Sequence, residues 1–135
     1  MGMPSGLEVR ARPDAIMRAA RILSERIKST DPAVVRFAEP VNGITSSSTA
    51  VRSISDIEGA APGPKLAGGW TCTTGAGAVT NCDTGVVRTA AFTPSVPFES
   101  GKYYEIRLNP EHSRGITDLA GNPFDRDVVG FTIDP

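Results

Sequence analysis

KYYEIRL, residues 102–108, decides the fold because its apolar residues alternate with its polar ones. Side chains along a β-strand point to opposite faces in turn, so an alternating run of this length predicts a half-buried strand. One phase is expected to lie in the core: Tyr104, Ile106 and Leu108. The other phase, which begins with Tyr103, is expected to face solvent.

Similar short runs continue on both sides of this stretch, and turn residues such as Asn42-Gly43 and Ser100-Gly101 separate them. The runs predicted as strands are PAVVRFAEPV (32–41), TAVRSI (49–54), GWTCT (69–73), GVVRTAAF (85–92) and VVGFTID (128–134). Short strands with regular turn signals are typical of an all-β sandwich. The apolar phases predict one shared core: Phe37, Phe92, Tyr104, Ile106, Leu108, Phe131 and Ile133.

The segment 13–30 has a different pattern, because Ile16, Ala20, Leu23 and Ile27 fall on one helical stripe. Asp14 is a candidate N-cap for this segment. Taken alone, the pattern predicts a helix that caps one end of the sandwich. The alternative is an extended segment, if tertiary packing overrides helix propensity.

The composition indicates one compact domain and excludes two classes of partner. The chain has 135 residues, with 14 basic and 15 acidic side chains and a net charge of -1. It offers no basic surface for nucleic acid and no apolar run long enough for a membrane helix, so neither nucleic-acid binding nor direct membrane insertion is expected. Residues 1–12 are interpreted as added or linker residues or the start of a first strand, and no signal peptide is seen.

Two cysteines, Cys72 and Cys82, flank a polar segment rich in Gly and Thr that can fold back as a hairpin. A disulfide between them is the favoured interpretation, and it indicates an oxidising, extracellular compartment. The alternative is a pair of free thiols in a cytosolic protein. A zinc site would need more ligands, and the single histidine, His112, lies in a different segment.

Four ordered motifs resemble the bacterial Ig-like domain family of surface-layer and secreted multidomain proteins, over about residues 32–134. They are FAEPV (37–41), FTPSVPFESGKYYEIRL (92–108), ITDLAGNPF (116–124) and GFTID (130–134). The resemblance implies that residues 13–135 form a single Ig-like β-sandwich. It also implies an exported or cell-surface location, neighbouring domains of a longer chain as partners, and a role as spacer or adhesion module that is not an enzyme and has no cofactor.

The stretch DLAGNP (118–123) fits a structural turn, because each residue has a local role. The carboxylate of Asp118 can accept backbone N–H groups two or more residues on, and Gly121 can supply a positive φ beside Asn122. The alternative is a calcium site made by Asp118, Asn122, Asp125 and Asp127. That alternative lacks the spacing of a known calcium loop and a closing glutamate.

Catalytic patterns are absent from the sequence. The serines lack a nucleophile elbow, His112 lies in a polar loop, and no two carboxylates stand out as a glycosidase pair. Trp70 and Tyr103 are the candidate ligand contacts, although core packing beside the disulfide is the ordinary role for Trp70. A second functional hypothesis is therefore an accessory module of a secreted enzyme that binds carbohydrate or protein.

Overall fold

The computed structural model describes residues 19–110 and 115–135, and the chain forms strands and turns but no helix in these two ranges. Accordingly, neither range contains a helix long and apolar enough to cross a membrane. The strands are β1 (Ala20–Ile22), β2 (Arg26–Ile27), β3 (Ala33–Asn42), β4 (Thr49–Ile54), β5 (Gly68–Thr73), β6 (Val79–Thr80), β7 (Val87–Pro94), β8 (Tyr103–Leu108), β9 (Thr117–Asp118) and β10 (Asp127–Ile133). The six strands predicted from the sequence are β3, β4, β5, β7, β8 and β10.

The strands form two sheets. One has the order β1-β3-β7-β5-β6, with β9 also paired to β3, and the other has the order β2-β10-β8-β4. The named pairings are antiparallel, except that β2 runs parallel to β10. Without the short β2, β6 and β9, this is the strand order of the immunoglobulin fold: β1-β3-β7-β5 corresponds to A-B-E-D, and β4-β8-β10 corresponds to C-F-G. The predicted Ig-like β-sandwich is confirmed.

The predicted N-terminal helix is wrong for residues 19–30, which form β1, β2 and the bends and turn beside them. Ala20 pairs with Phe37 on β3, and Ile27 pairs with Ile133 on β10, so the segment adds an edge strand to each sheet. Both Ala20 and Ile27 are buried. Backbone pairing to two open sheet edges and this burial outweigh a helix propensity worth a few tenths of a kcal/mol per residue. Residues 13–18 lie outside the described residues.

The predicted core is confirmed. Each of its seven members is at most 3% exposed, and all belong to one cluster between the sheets. Phe98, which was not among the predicted members, completes an aromatic group with Tyr104 and Phe131 at centroid distances of 4.9 and 5.2 Å. The alternation rule therefore identified the inward face of each long strand correctly.

The FAEPV motif forms an irregularity in β3. Arg36 pairs with Thr89, and the next pairing is Val41 with Val87, so four residues of β3 stand opposite one residue of β7. Proline is tolerated at such a site because the ladder there needs no N–H donor. The Arg88 side chain donates through Nε to the carbonyl oxygen of Phe37 at 3.0 Å.

Antiparallel order brings three connecting segments to the same end of the sandwich: 43–48, 74–86 with β6, and the segment between β8 and β10, which includes β9 and is described at 109–110 and 115–126. Backbone hydrogen bonds join them. The N–H of Gly43 donates to the carbonyl of Asp83 at 2.7 Å, and the N–H of Asn109 donates to the carbonyl of Ser48 at 2.9 Å. The candidate site residues of the sequence are divided between this loop end and the sheet faces.

Tyr104 anchors the opposite end through its hydroxyl oxygen, which accepts the backbone N–H of Glu99 at 2.9 Å. The ring itself is buried. Hydroxyl contacts of this kind at the start of strand F are known as tyrosine corners in Ig-like domains.

Tyr104→Phe is expected to lower the free energy of unfolding by about 1 kcal/mol, because it removes the acceptor and keeps the ring. Urea denaturation of wild type and variant measures the difference. Tyr103→Phe, which removes the hydroxyl of an exposed tyrosine next in sequence, is the matched control. Equal midpoints for wild type and Tyr104→Phe would show that this contact adds no stability.

Candidate functional site

The DLAGNP stretch forms a tight turn around the carboxylate of Asp118. Its Oδ1 accepts the backbone N–H groups of Ala120 and Asn122, both at 2.9 Å, and its Oδ2 accepts the Asn122 side-chain amide at 3.1 Å. Two backbone bonds close the same turn, from Asp118 N–H to the Asn122 carbonyl and from Gly121 N–H to the Asp118 carbonyl. Gly121 has a φ of 90°, which residues with a β-carbon adopt at a cost.

These bonds lower the pKa of Asp118 below its usual value. The backbone N–H of Asn122 contributes most and its side-chain amide next, whereas desolvation acts in the opposite direction. Because the folded-state pKa is depressed, the ionised carboxylate stabilises the fold above the unfolded-state pKa. This contribution is lost as the pH falls through the folded-state pKa.

Asp118→Asn is therefore expected to cost stability near neutral pH, and the difference from wild type should shrink as the pH falls below about 4. Denaturant unfolding at several pH values measures it. Asp125→Asn removes the same charge from the same exposed loop and is the control. A difference between Asp118→Asn and wild type that stays constant with pH would contradict the depressed pKa.

The four residues of the calcium alternative do not form a set of metal ligands in this geometry. Asn122 turns its amide nitrogen toward Asp118, and Asp127 Oδ1 accepts the backbone N–H of Val128 at 2.8 Å. Within residues 19–110 and 115–135, no group of three or more His, Cys, Asp or Glu side chains is arranged to hold a metal ion. The turn interpretation accounts for Asp118 and Asn122 through the bonds that they make.

Cys72 and Cys82 form a disulfide bond, with their Cα atoms 5.2 Å apart, inside the range predicted for a bridge. Cys72 lies on β5 and is buried, whereas Cys82 follows β6. The N–H of Ile44 donates to the carbonyl of Cys82 at 3.0 Å. The bridge closes the β5–β6 hairpin, and this backbone bond joins the hairpin to the loop that follows β3.

Asn109 is a structural residue that sequence reasoning missed. Its side chain is buried, and it has a φ of 50°. Its amide donates to the carbonyls of Ile116 and Phe124, and its Oδ1 accepts the N–H of Ile116, each at 2.9 Å. The Asn-Pro pair signals a turn, but no local sequence pattern shows that the carboxamide bonds to both Ile116 and Phe124.

Trp70 is half-buried, and it packs against the core cluster. Its ring lies 5.2 Å from that of Phe92, and its Nε1–H donates to Thr49 Oγ1 at 3.1 Å. It borders an open cleft of about 350 Å³ between the sheets, whose apolar lining includes Val51 and Leu66. Trp70 therefore has a packing role and one accessible side.

The edge of β4 beside this cleft is covered by the segment that leads to β5. The N–H of Leu66 donates to the carbonyl of Val51, and that of Gly63 to Ser53, both at 2.9 Å. Lys65 Nζ donates to the carbonyl of Ser46 across the mouth of the cleft. This cover leaves β4 without an open ladder for another strand at these positions.

Tyr103 lies in the sheet that does not contain Trp70. It is on the outer face of β8 and is 41% exposed. It lines two clefts, neither of which includes Trp70. The structure thus places the two candidate ligand contacts in different sheets and does not bring them together. His112 lies outside the described residues.

The fold and these sites define an immunoglobulin-like β-sandwich domain with one disulfide. No protein-family model matches the chain, and no curated protein matches it. The resemblance to the bacterial Ig-like family therefore remains a prediction at the level of family.

Solved structures of surface-layer proteins share the fold. The S-layer protein rSbsC(31-844) aligns with a TM-score of 0.56 and 18% identity over 87% of this chain and 14% of that chain. The N-terminal part of the bacterial S-layer protein SbsC aligns with a TM-score of 0.55 and 19% identity over 89% of this chain and 24% of that chain. Domains 1-6 of surface layer protein SbsC give 0.55 and 18%, over 89% of this chain and 14% of that chain.

Proposed function

We propose that this domain is a non-enzymatic structural module of an exported or cell-surface bacterial protein, which serves as a spacer or interaction domain beside other domains. The observation that carries the proposal is the shared fold with S-layer chains. The similarity covers 87–89% of this chain but only 14–24% of each of those chains. A fold of this size is thus one part of a longer chain in those proteins.

The disulfide supports an extracellular location. Cys72 and Cys82 lie ten residues apart and are bonded. Disulfides persist in oxidising compartments and are rare in the cytosol, where thiols are kept reduced. A cross-link that closes a Gly-rich hairpin suits a domain exposed to the conditions outside the cell.

The short and covered edges of the two sheets support a spacer role. The outer strands β1, β2 and β6 have only two or three residues each, and the edge of β4 is covered by the segment around Leu66. Short and covered edges suppress pairing between copies of a domain. Copies that lie close together along one chain or in a surface array therefore offer one another few positions for strand pairing at these edges.

Surface exposure of the parent protein on intact cells tests the proposal. An epitope placed at Gly77, in the exposed tip of the β5–β6 hairpin, should bind antibody without cell lysis. A cytosolic protein that carries the same epitope is the control, and it should bind only after lysis. Labelling of the parent protein only in lysed cells would overturn the proposed location.

A second candidate function is an accessory module that binds carbohydrate or protein for a secreted enzyme. The observation that favours it is that Trp70 and Tyr103 each border an accessible cleft. The parent reading frame discriminates between the two functions. Tandem copies of this sequence pattern would favour the spacer, and an adjacent catalytic domain would favour the accessory module.

A further inference from the structure

The side chain of Tyr103 lies across the outer face of the β2-β10-β8-β4 sheet, in space that a glycine on the neighbouring strand leaves free. Thr132 is its direct partner in the ladder, yet its ring leans diagonally toward Gly130. A β-carbon built at residue 130 would lie 1.9 Å from the Tyr103 hydroxyl oxygen and 2.6 Å from Cζ. The phenol therefore occupies the space that any side chain at residue 130 would need.

Two clefts meet at this ring, one on each side of β8. The first has a volume of about 390 Å³ and lies toward β4, and the second has about 450 Å³ and lies toward β2. We call the two clefts together the Tyr103 trough. Its first part is lined by the end of β4 and the residues just before β8, and its second part by β2 and β10.

The trough combines its aromatic ring with hydroxyl and charged groups on both sides. Toward β4 the polar lining comprises Ser53, Ser55, Asp56 and Lys102. Toward β2 it comprises Glu25, Arg26 and Thr132. These side chains provide both hydrogen-bond donors and acceptors at each end.

The charges in the trough are balanced. Each cleft has one acidic and one basic side chain in its lining. Each base also has an acidic partner outside the lining, Lys102 with Glu99 at 3.2 Å and Arg26 with Asp134 at 3.5 Å. The trough therefore collects no positive charge that would attract a polyanion.

We propose that the Tyr103 trough binds a short, neutral, linear oligosaccharide. A sugar ring presents aliphatic C–H groups on its faces and hydroxyl groups around its rim, so it can stack on an aromatic ring while its rim bonds to flanking polar groups. A protein partner would require a larger apolar centre than Tyr103 and its half-buried ladder partner Ile54 provide, because interface energy concentrates in buried clusters. The proposal rests on the accessory-module function and narrows its ligand to a neutral sugar chain, and it does not depend on the surface location.

Titration calorimetry with cellohexaose, fully N-acetylated chitohexaose and laminarihexaose tests the proposal. We expect at least one of these neutral hexasaccharides to bind, and Tyr103→Ala to weaken binding at least about tenfold. Tyr103→Phe keeps the ring and should retain binding within about threefold. Gly130→Ala should weaken binding although Tyr103 is still present, because the added methyl group displaces the phenol.

Leu119→Ala is the matched control, since Leu119 is an exposed apolar residue in the loop end of the sandwich. It should leave binding unchanged, and thermal unfolding of every variant confirms that each one folds. The proposal is overturned if none of the three sugars binds at millimolar concentration, or if Tyr103→Ala binds like wild type. It is also overturned if Trp70→Phe, rather than Tyr103→Ala, abolishes binding. None of these results bears on the epitope test of surface location, so the two proposals fail separately.

Discussion

Asn109→Ala is expected to lower the free energy of unfolding by about 3 to 5 kcal/mol, the largest effect of any substitution considered for this domain. The variant leaves the N–H of Ile116 and the carbonyl of Phe124 without the side-chain partner that lies 2.9 Å from each. The carbonyl of Ile116 loses one of two donors and keeps the N–H of Phe124 at 2.8 Å. Buried polar groups left unpaired cost about 1 to 3 kcal/mol each. Alanine must also adopt the φ of 50° that asparagine tolerates.

Asn109→Gly separates the two causes, because glycine adopts positive φ freely but makes no side-chain hydrogen bonds. It should recover only about 1 kcal/mol relative to Asn109→Ala. Equilibrium urea unfolding, followed by the fluorescence of Trp70, measures all three proteins. Full recovery of stability by Asn109→Gly would show that backbone strain, and not the carboxamide, determines the effect.

Reduction of the Cys72–Cys82 bridge is expected to lower the free energy of unfolding by about 2.7 kcal/mol and the melting temperature by about 10 °C. The bridge spans ten residues, and its main effect is to restrict the unfolded chain. The enclosed segment includes Gly75 and Gly77, so it has much backbone entropy to lose on ordering. Reduction changes no residue of the core, so the loss of stability can be attributed to the missing cross-link.

Calorimetric melting with and without a phosphine reductant measures the effect. The variant Cys72→Ser/Cys82→Ser is the control, because it has no bridge to reduce and its melting temperature should not respond to the reductant. Thiol titration of the unfolded oxidised chain should detect no free sulfhydryl group. Two reactive thiols in a chain that had been allowed to oxidise would contradict the bonded pair.

The sequence by itself determined the long strands and their inward faces. In KYYEIRL the alternation is a local property, since successive side chains must leave a strand on opposite sides. A buried Ile106 therefore required a buried Tyr104 and Leu108, and all three are buried. The Asp118 turn was equally predictable, because its carboxylate bonds to groups two and four residues along the chain. Interactions over so few residues can be predicted from the local sequence alone.

Only the tertiary structure decided the features that depend on distant partners. Residues 19–30 have a helical pattern, yet they are extended because β3 and β10 offer them backbone partners. The buried side chain of Asn109 bonds to two carbonyl groups because the chain returns to it at Ile116 and Phe124. Tyr103 lies across the sheet because Gly130, on another strand, leaves room for it. For residues 19–30 and for Tyr103 the deciding group is brought close by sheet register, and register is fixed by the burial of a whole face rather than by any local pattern.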